Sequence, residues 1–282
     1  ADYWTFCKKA FTNVGITPTT ANAPDLTGWD QNAATDWQEL LRGNTGHVTD
    51  AQANLSGGNE YTRFFFNSGY RRESTVFYGD SKNSRFTSRL NLDHKSSDGR
   101  FNAAFSVSYA NDMTDMPSSD VSSLYNLPPN YPIYNENGTY HWLPSSFGIN
   151  NPIALLDRKY IGKTNNLISN ANLSYNIAPG LVAKANFGYT ITQLQQNNQT
   201  PSTSLNNTVA TTLGSSSFSN TKAQNWIIEP TLNYNKMIGD GNLTALLGTS
   251  FQQNSSATQT TNGSNYSNDA LLGSLSAAGL FT

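Results

Sequence analysis

Apolar and polar residues alternate along this chain in eight runs, each about ten residues long, and the alternation predicts eight β-strands. Side chains on a strand point to opposite faces in turn, so each run carries one apolar and one polar face. In residues 49–56, Ala51, Ala53 and Leu55 oppose Asp50, Gln52 and Asn54. In 62–70, Phe64, Phe66 and Tyr70 oppose Arg63, Asn67 and Gly69, with Phe65 alone out of step. Phe86, Leu90 and Leu92 oppose Arg85, Arg89, Asn91 and Asp93; Phe101, Ala103, Phe105, Val107 and Tyr109 oppose Arg100, Asn102, Ser106 and Ser108. Leu167, Ala171, Leu173 and Tyr175 then face away from Asn166, Asn170, Asn172 and Ser174, and Leu181, Ala183, Ala185, Phe187 and Tyr189 from Lys184, Asn186 and Thr190. The last two runs set Trp226, Ile228, Leu232 and Tyr234 against Asn225, Glu229, Thr231 and Asn233, and Leu243, Ala245, Leu247 and Phe251 against Asn242, Thr244, Ser250 and Gln252.

The connections discriminate between folds. Residues 56–60, 94–98, 176–180 and 236–241 are short and carry Gly, Asn or Pro, as hairpin turns do. Residues 71–83, 111–163, 191–223 and everything after Gln253 are long. Short and long connections alternate strictly. An outer-membrane barrel sorts them this way, with turns toward the periplasm and loops outward, whereas a sandwich has no reason to do so. The expected fold is therefore all-β: an antiparallel transmembrane β-barrel segment of about eight strands, part of a larger barrel. A run of ten residues crosses a bilayer when tilted.

Composition fits once the geometry is known. A hydrophobic share of 37% and a mean hydropathy of −0.51 look too polar for a membrane protein, but only alternate strand residues need touch lipid. No apolar run approaches the length of a membrane-spanning helix. A net charge of −2 supplies no concentrated basic face for phosphate, which argues against nucleic acid as a partner. The single cysteine, Cys7, cannot form an internal disulfide and reads as a structural thiol or an unremarkable residue, not a catalytic or metal-binding one. The sequence starts at Ala1 with no Met and no leader, which implies a removed export signal or an internal segment.

Three regions follow. Residues 1–46 form an irregular, short-helical lead-in: Tyr3, Phe6, Ala10 and Phe11 suit a turn or two of amphipathic helix, and Thr35 caps a short helix that runs through Leu41 to end near Gly43. Residues 47–253 carry the wall strands, with long external loops at 111–163 and 191–223. Residues 254–282 read as a polar external loop or an incomplete following region. Within the second loop, residues 197–219 are almost all Asn, Ser, Thr and Gln and are expected to be mobile, because they cannot bury enough apolar area.

Catalytic chemistry finds no foothold. His47, His94 and His141 fall in different turns or loops without a supporting acid, so no catalytic residue and no enzyme is expected. These histidines and the lone cysteine lack metal-ligand spacing, so neither metal nor cofactor is expected. Asp112, Asp115 and Asp120 form a loose acidic group that could hold Ca²⁺, but the spacing favours a solvated loop. Gly57-Gly58 and Gly239-Asp240-Gly241 are turns, since no helix or Lys-Ser/Thr pair follows them. The candidate substrate-binding set is aromatic: Tyr125, Tyr131, Tyr134, Tyr140 and Trp142, interleaved with Asn126, Asn130, Asn135 and Asn137. Such rings stack on sugars or pack on peptides while the amides pair. The plainer reading, that they fold the loop onto itself or a partner, is the favoured one. Tyr70, Phe101, Tyr109, Tyr175, Tyr189 and Trp226, near strand ends, suit interfacial anchors. Arg63, Arg85, Arg89, Asp93, Arg100, Lys184 and Glu229 are expected to face the lumen and to pair with one another or with a plug inside it.

Several motifs in order resemble the SusC/RagA family of TonB-dependent outer-membrane transporters. They are Thr35-Asp36-Trp37-Gln38, Leu55-Ser56-Gly57-Gly58-Asn59-Glu60 with Thr62 and Arg63, and Ser88-Arg89-Leu90-Asn91-Leu92-Asp93-His94. The run from Asn135 to Trp142, Asn151-Pro152-Ile153-Ala154-Leu155, Trp226-Ile227-Ile228-Glu229-Pro230 and Leu246-Leu247-Gly248 continue the likeness. The resemblance covers the chain from Thr35 to Gln253 and departs from the family in lacking counterparts to its plug domain and last strands. It implies a middle stretch of a barrel of about 22 strands. It also implies import of oligosaccharides or peptides across the outer membrane of a Gram-negative bacterium, with a SusD-like lipoprotein and the TonB system as partners, the latter through the missing plug. Two other readings stay open at this point: a small closed barrel with a structural or adhesin role, and a soluble carbohydrate-binding β-sandwich.

Overall fold

The alternating runs become strands because each apolar side chain finds neighbours of its own kind across the ladder. The computed structural model describes residues 2–143, 150–206 and 212–282. The strands are β1 (Val48–Gly58), β2 (Thr62–Ser74), β3 (Lys82–Lys95), β4 (Phe101–Pro117), β5 (Lys159–Ala178), β6 (Leu181–Thr200), β7 (Gly214–Ile238), β8 (Gly241–Gly248), β9 (Phe251–Tyr266) and β10 (Leu280–Phe281). They form one antiparallel sheet in which each strand through β7 pairs with the next in sequence. Both β8 and β9 pair with β7.

One register line carries Phe64, Leu92, Phe105, Ala171, Phe187, Ile228 and Phe251 from β2 to β9. A neighbouring line on the opposite face carries Arg63, Asp93, Ala104, Asn172, Asn186 and Glu229. Phe64, Phe66, Phe105 and Phe187 are all exposed, at 36–40% of their surface. Among the described residues no second layer covers this apolar face, as a sandwich would require. Counted along β6 from Leu181 to Ile191, the band is about 25 Å tall for a tilt near 40°. Aromatic rings mark its margins. Tyr70 pairs with Phe86 and Tyr189 with Trp226 toward the long loops, while Phe101 pairs with Tyr175 toward the short turns. Phe65 and Ile227 sit on the polar face, the first in register with Asn91 and the second with Gly188.

β8 and β9 are one strand with a gap. The register of β8 against β7 continues unchanged into β9, and only Thr249 and Ser250 fall out of the ladder. Pro230 lies opposite this gap. It has no N–H to donate, so it accepts from the Thr249 N–H (3.2 Å) and returns nothing. At the turn end, Pro179-Gly180 closes β5 onto β6 in two residues. Gly180 has φ +83°, and a Cβ there would lie 2.1 Å from the Asn235 carbonyl oxygen, so glycine is required.

The strands run further than the sequence pattern indicates. β6 continues to Thr200, β7 begins at Gly214 and β9 ends at Tyr266, so 191–200, 214–223 and 254–266 are strand where loop was expected. Past the hydrophobic band both faces meet water, and the alternation that marks a strand fades. Pairing holds these parts instead, with hydroxyl contacts across the ladder such as Ser219 to Thr260 (3.1 Å) and Thr221 to Thr258 (3.0 Å). The same pairing orders residues 197–200 and 214–219, which were expected to be mobile; residues 207–211 lie outside the described set.

The edges decide one alternative. β1 pairs only with β2, and β9 carries β10 on its outer side, so the strand near Ala51 does not meet the strand near Ala245 and no closed eight-stranded barrel forms. An open edge in hydrocarbon leaves backbone groups unsatisfied at several kcal/mol each, so further strands must complete the wall.

Leu90 stands between Phe66 and Val107 on the apolar face, and Arg89 between Asn67 and Ser108 on the other. Leu90→Arg should cost about 2–4 kcal/mol at the bilayer midplane and sharply lower assembled protein in membrane fractions, while Arg89→Leu leaves assembly nearly intact. Equal membrane yields for the two variants would mean the faces are assigned backwards.

Candidate functional site

The only hydrophobic cluster among the described residues lies off the sheet, at its loop end, and residues 1–46 help to build it. α1 (Asp2–Val14), α2 (Pro24–Thr27) and α3 (Trp37–Arg42) precede the first strand. α1 is longer than the turn or two expected, and the Tyr3 hydroxyl donates to Asp25 at 2.9 Å, tying it to α2. Asp36, not Thr35, caps α3: its Oδ1 accepts from the backbone N–H groups of Gln38 and Glu39, both at 3.0 Å. A carboxylate satisfies two orphan donors and favours the positive helix end, which a hydroxyl one residue earlier cannot do.

Trp37 and Leu41 then pack with Val121, Tyr131, Leu143, Ile153, Leu155 and Leu156, the last three from α4 (Pro152–Leu156) or its immediate vicinity. The lead-in and the connection between β4 and β5 are thus one folded cap. Two buried asparagines staple it. Asn130 donates to the carbonyls of Asp25 (2.8 Å) and Asp30 (3.3 Å). Asn151 caps α4 through its Oδ1 and donates to the carbonyls of Ile133 (2.7 Å) and His141 (3.1 Å). The Trp37 indole N–H adds a bond to the Pro128 carbonyl (3.1 Å). Neighbouring loops join in: Arg158 donates to the Ser204 carbonyl (2.8 Å), and Asp269 accepts from the Ser202 backbone N–H (2.8 Å) and hydroxyl (2.9 Å).

The aromatic set divides along this core. Tyr131 is 2% exposed, with its hydroxyl bonded to the His141 carbonyl (3.0 Å), so it is a core residue closed to ligand in this conformation. Tyr125 packs half-buried on the cluster beneath the Arg42 guanidinium, 5.7 Å from the ring centroid. Tyr140 is half-buried, donates to Asp157 and stacks on Tyr134 with centroids 5.5 Å apart and planes 24° from parallel. Tyr134 is 49% exposed and offers a free ring face; Trp142 is half-buried. Asp157, Asn151 and His141 are the site residues that the sequence pattern missed. Asn-Pro ahead of an apolar run was a legible helix start, but nothing in sequence placed Asp157 beside Tyr140.

Burial sets the ionisation of this cap. The Tyr131 phenol is pushed up to about 12 by desolvation. Tyr140 is raised further, by burial first and then by its bond to Asp157, and Tyr134 rises for the same leading reason. These rings stay neutral donors at any physiological pH. His141 is lowered by burial; its Nδ1 meets Asn135 Oδ1 at 2.9 Å, while Nε2 is buried without a partner.

On the polar face of the sheet, charges pair across strands, Arg85 with Asp112 (3.5 Å) and Arg71 with Asp50 (3.8 Å), and along β2, Arg71 with Glu73 (3.0 Å). A groove of about 610 Å³ lies on that face at the turn end, with Arg63, Asp93, Lys95, Asn172, Lys184 and Asn186 in its wall. Asp112 and Asp115 of the acidic group sit on opposite faces of β4 and cannot act together.

No family model matches the chain. It is 29% identical over 236 residues to TonB-dependent receptor P3 of Formosa agariphila, a match covering 78% of this chain and 23% of that protein. To TonB-dependent receptor P26 of the same organism it is 27% identical over 226 residues, covering 77% and 22%. Its fold superposes on a chain of the RagAB peptide importer with a TM-score of 0.67 at 17% identity, over 90% of this chain and 30% of that one. The chain is thus similar in sequence to TonB-dependent receptors, and its fold is that of a chain of the RagAB importer. It spans less than a quarter of the length of the curated relatives it matches.

Two outcomes follow for the cap. Trp37→Ala removes a ring that is 4% exposed and should cost the cap about 3–5 kcal/mol, read as rapid proteolysis of residues 117–158 while the strands stay protected. For His141, the unfolded cap takes up its proton at a higher pH than the folded cap. The stabilisation is therefore complete above the ordinary value of 6.5 and is lost as the pH falls through the lower folded value. Hydrogen-exchange protection of residues 133–143 should drop between about pH 7.5 and about pH 5, and His141→Gln should flatten that dependence.

Proposed function

We propose that the chain is a wall-and-mouth segment of a TonB-dependent importer in the outer membrane of a Gram-negative bacterium. The importer takes up oligosaccharides or peptides together with a SusD-like surface lipoprotein. The observation that carries this reading is the exposed apolar face, banded by aromatics and backed by a polar face with paired charges, on a sheet that cannot close by itself. Such a sheet needs lipid on one side and a wet, occupied interior on the other. The likeness to TonB-dependent receptors and to RagAB supports energy coupling and a lipoprotein partner. In this reading the polar groove near Arg63, Asp93 and Lys184 meets the plug, through which the TonB system acts.

The cap supplies the ligand contact. Tyr134 presents its free face from a stack held by Tyr140 and Asp157, a rigid platform of the kind that sugar rings or flat peptide groups use. Tyr140 also packs on the core that contains Tyr131, and Tyr125 lies against the same core.

Deleting the full-length gene should abolish growth on one class of oligosaccharide or peptide, and restoring it with Tyr134→Ala should raise the half-saturating concentration roughly two- to tenfold with little change in surface abundance. Unchanged growth of the deletion strain across both nutrient classes would sink the importer reading; wild-type uptake by the Tyr134 variant would remove only the platform.

A further inference from the structure

Beyond the transport reading, although resting on its placement of the sheet in a membrane, the structure assigns a lipid-headgroup site to the apolar side of the wall. On β3, β5 and β7 the continuous band ends toward the loops at Phe86, Leu167 and Trp226, with Ile161 and Phe218 standing further out on the same face of β5 and β7. Four residues further along each strand, on the same face, stands a lysine: Lys82, Lys163 and Lys222. On β2, Arg72 follows Tyr70 by two. Four residues are about 13 Å of strand, or roughly 10 Å along the membrane normal at a tilt near 40°. The lysines therefore share one height above the aromatic margin, where headgroups of the loop-side leaflet lie.

Charge is sorted by face at this level. On the polar face acids and bases alternate and pair, as with Asp50, Arg71, Arg85 and Asp112. On the outer face Arg72, Lys82, Lys159, Lys163 and Lys222 are exposed against a single acid, Asp115. None of these bases has an ion-pair partner within 4.0 Å among the described residues, although Asp115 is in register with Lys82. At one point the belt is concave. A polar cavity of about 530 Å³ is walled by His47, Arg72, Ser74, Ser81 and Lys82, with Asp80 also in its wall. The Thr75 hydroxyl in the same wall is buried without a partner.

We propose that Arg72, Lys82, Lys163 and Lys222 bind the anionic, phosphate-bearing headgroups of lipids in the leaflet on the loop side, with the Arg72–Lys82 cavity seating one headgroup. Ammonium and guanidinium groups at this depth gain by meeting phosphate, and the aromatic margin below fixes the lipid's height.

The test uses the full-length protein purified from outer membranes in mild detergent. Lys82→Gln/Lys163→Gln/Lys222→Gln is compared with wild type and with Lys184→Gln, whose charge lies on the other face. Phosphate-bearing lipid retained per protein, measured by native mass spectrometry, should fall severalfold in the triple variant and not in the control. A triple lysine-to-arginine variant should retain it. If the triple glutamine variant fails to accumulate, Lys163→Gln alone is reconstituted into phosphatidylcholine nanodiscs with or without phosphatidylglycerol. Its preference for the anionic discs should be about fivefold weaker than wild type at low salt. Equal lipid retention, or equal preference, in variant and wild type overturns the belt while leaving the importer intact. Recovery of the wild-type protein from the aqueous phase would overturn both.

Discussion

Hydrocarbon offers a peptide group no partner, and this wall is organised around that constraint. Every backbone N–H and C=O within the band must pair with the next strand, so the strands are continuous, antiparallel and joined in sequence order. The pleat then forces side chains to opposite faces, one greasy and one wet, without any packed interior between them. Where the ladder is broken, the cause is a single residue. Pro230 withholds one N–H, and Thr249 and Ser250 drop out opposite it while the register survives. A lone missing donor interrupts pairing without shifting it, because the strands on both sides remain committed to their faces.

Stability of a more ordinary kind is found only beyond the bilayer. The cap formed by Trp37, Leu41, Tyr131 and the α4 leucines is a small water-soluble core, built from two segments about ninety residues apart in sequence, as the Trp37–Pro128 bond illustrates. Its buried asparagines replace secondary structure: Asn130 and Asn151 satisfy loop carbonyls that no ladder reaches. At its surface Tyr134 and Tyr140 stack on each other. The sorting of charge, mixed and paired inside but basic outside, follows from what each face meets.

The wall was legible because its physics is local. Period-two alternation, ten-residue runs and glycine-bearing turns each report a constraint felt by consecutive residues, and the faces of all eight runs agree with the register of the ladder. Legibility failed past the band, in 191–200, 214–223 and 254–266, where water on both faces erases alternation although the strands persist. It failed again at α3, where the capping group is Asp36 and the adjacent Thr35 looked equally suitable.

The sequence by itself determined the class of fold, the lipid and lumen faces, the turn end and the loop end, since each follows from spacing along one chain. Only the tertiary structure decided that residues 1–46 fold with the connection between β4 and β5, and that Tyr131 is core while Tyr134 is exposed. Those outcomes depend on distances between residues far apart in the chain, set by strand register and tilt, and no local pattern carries them.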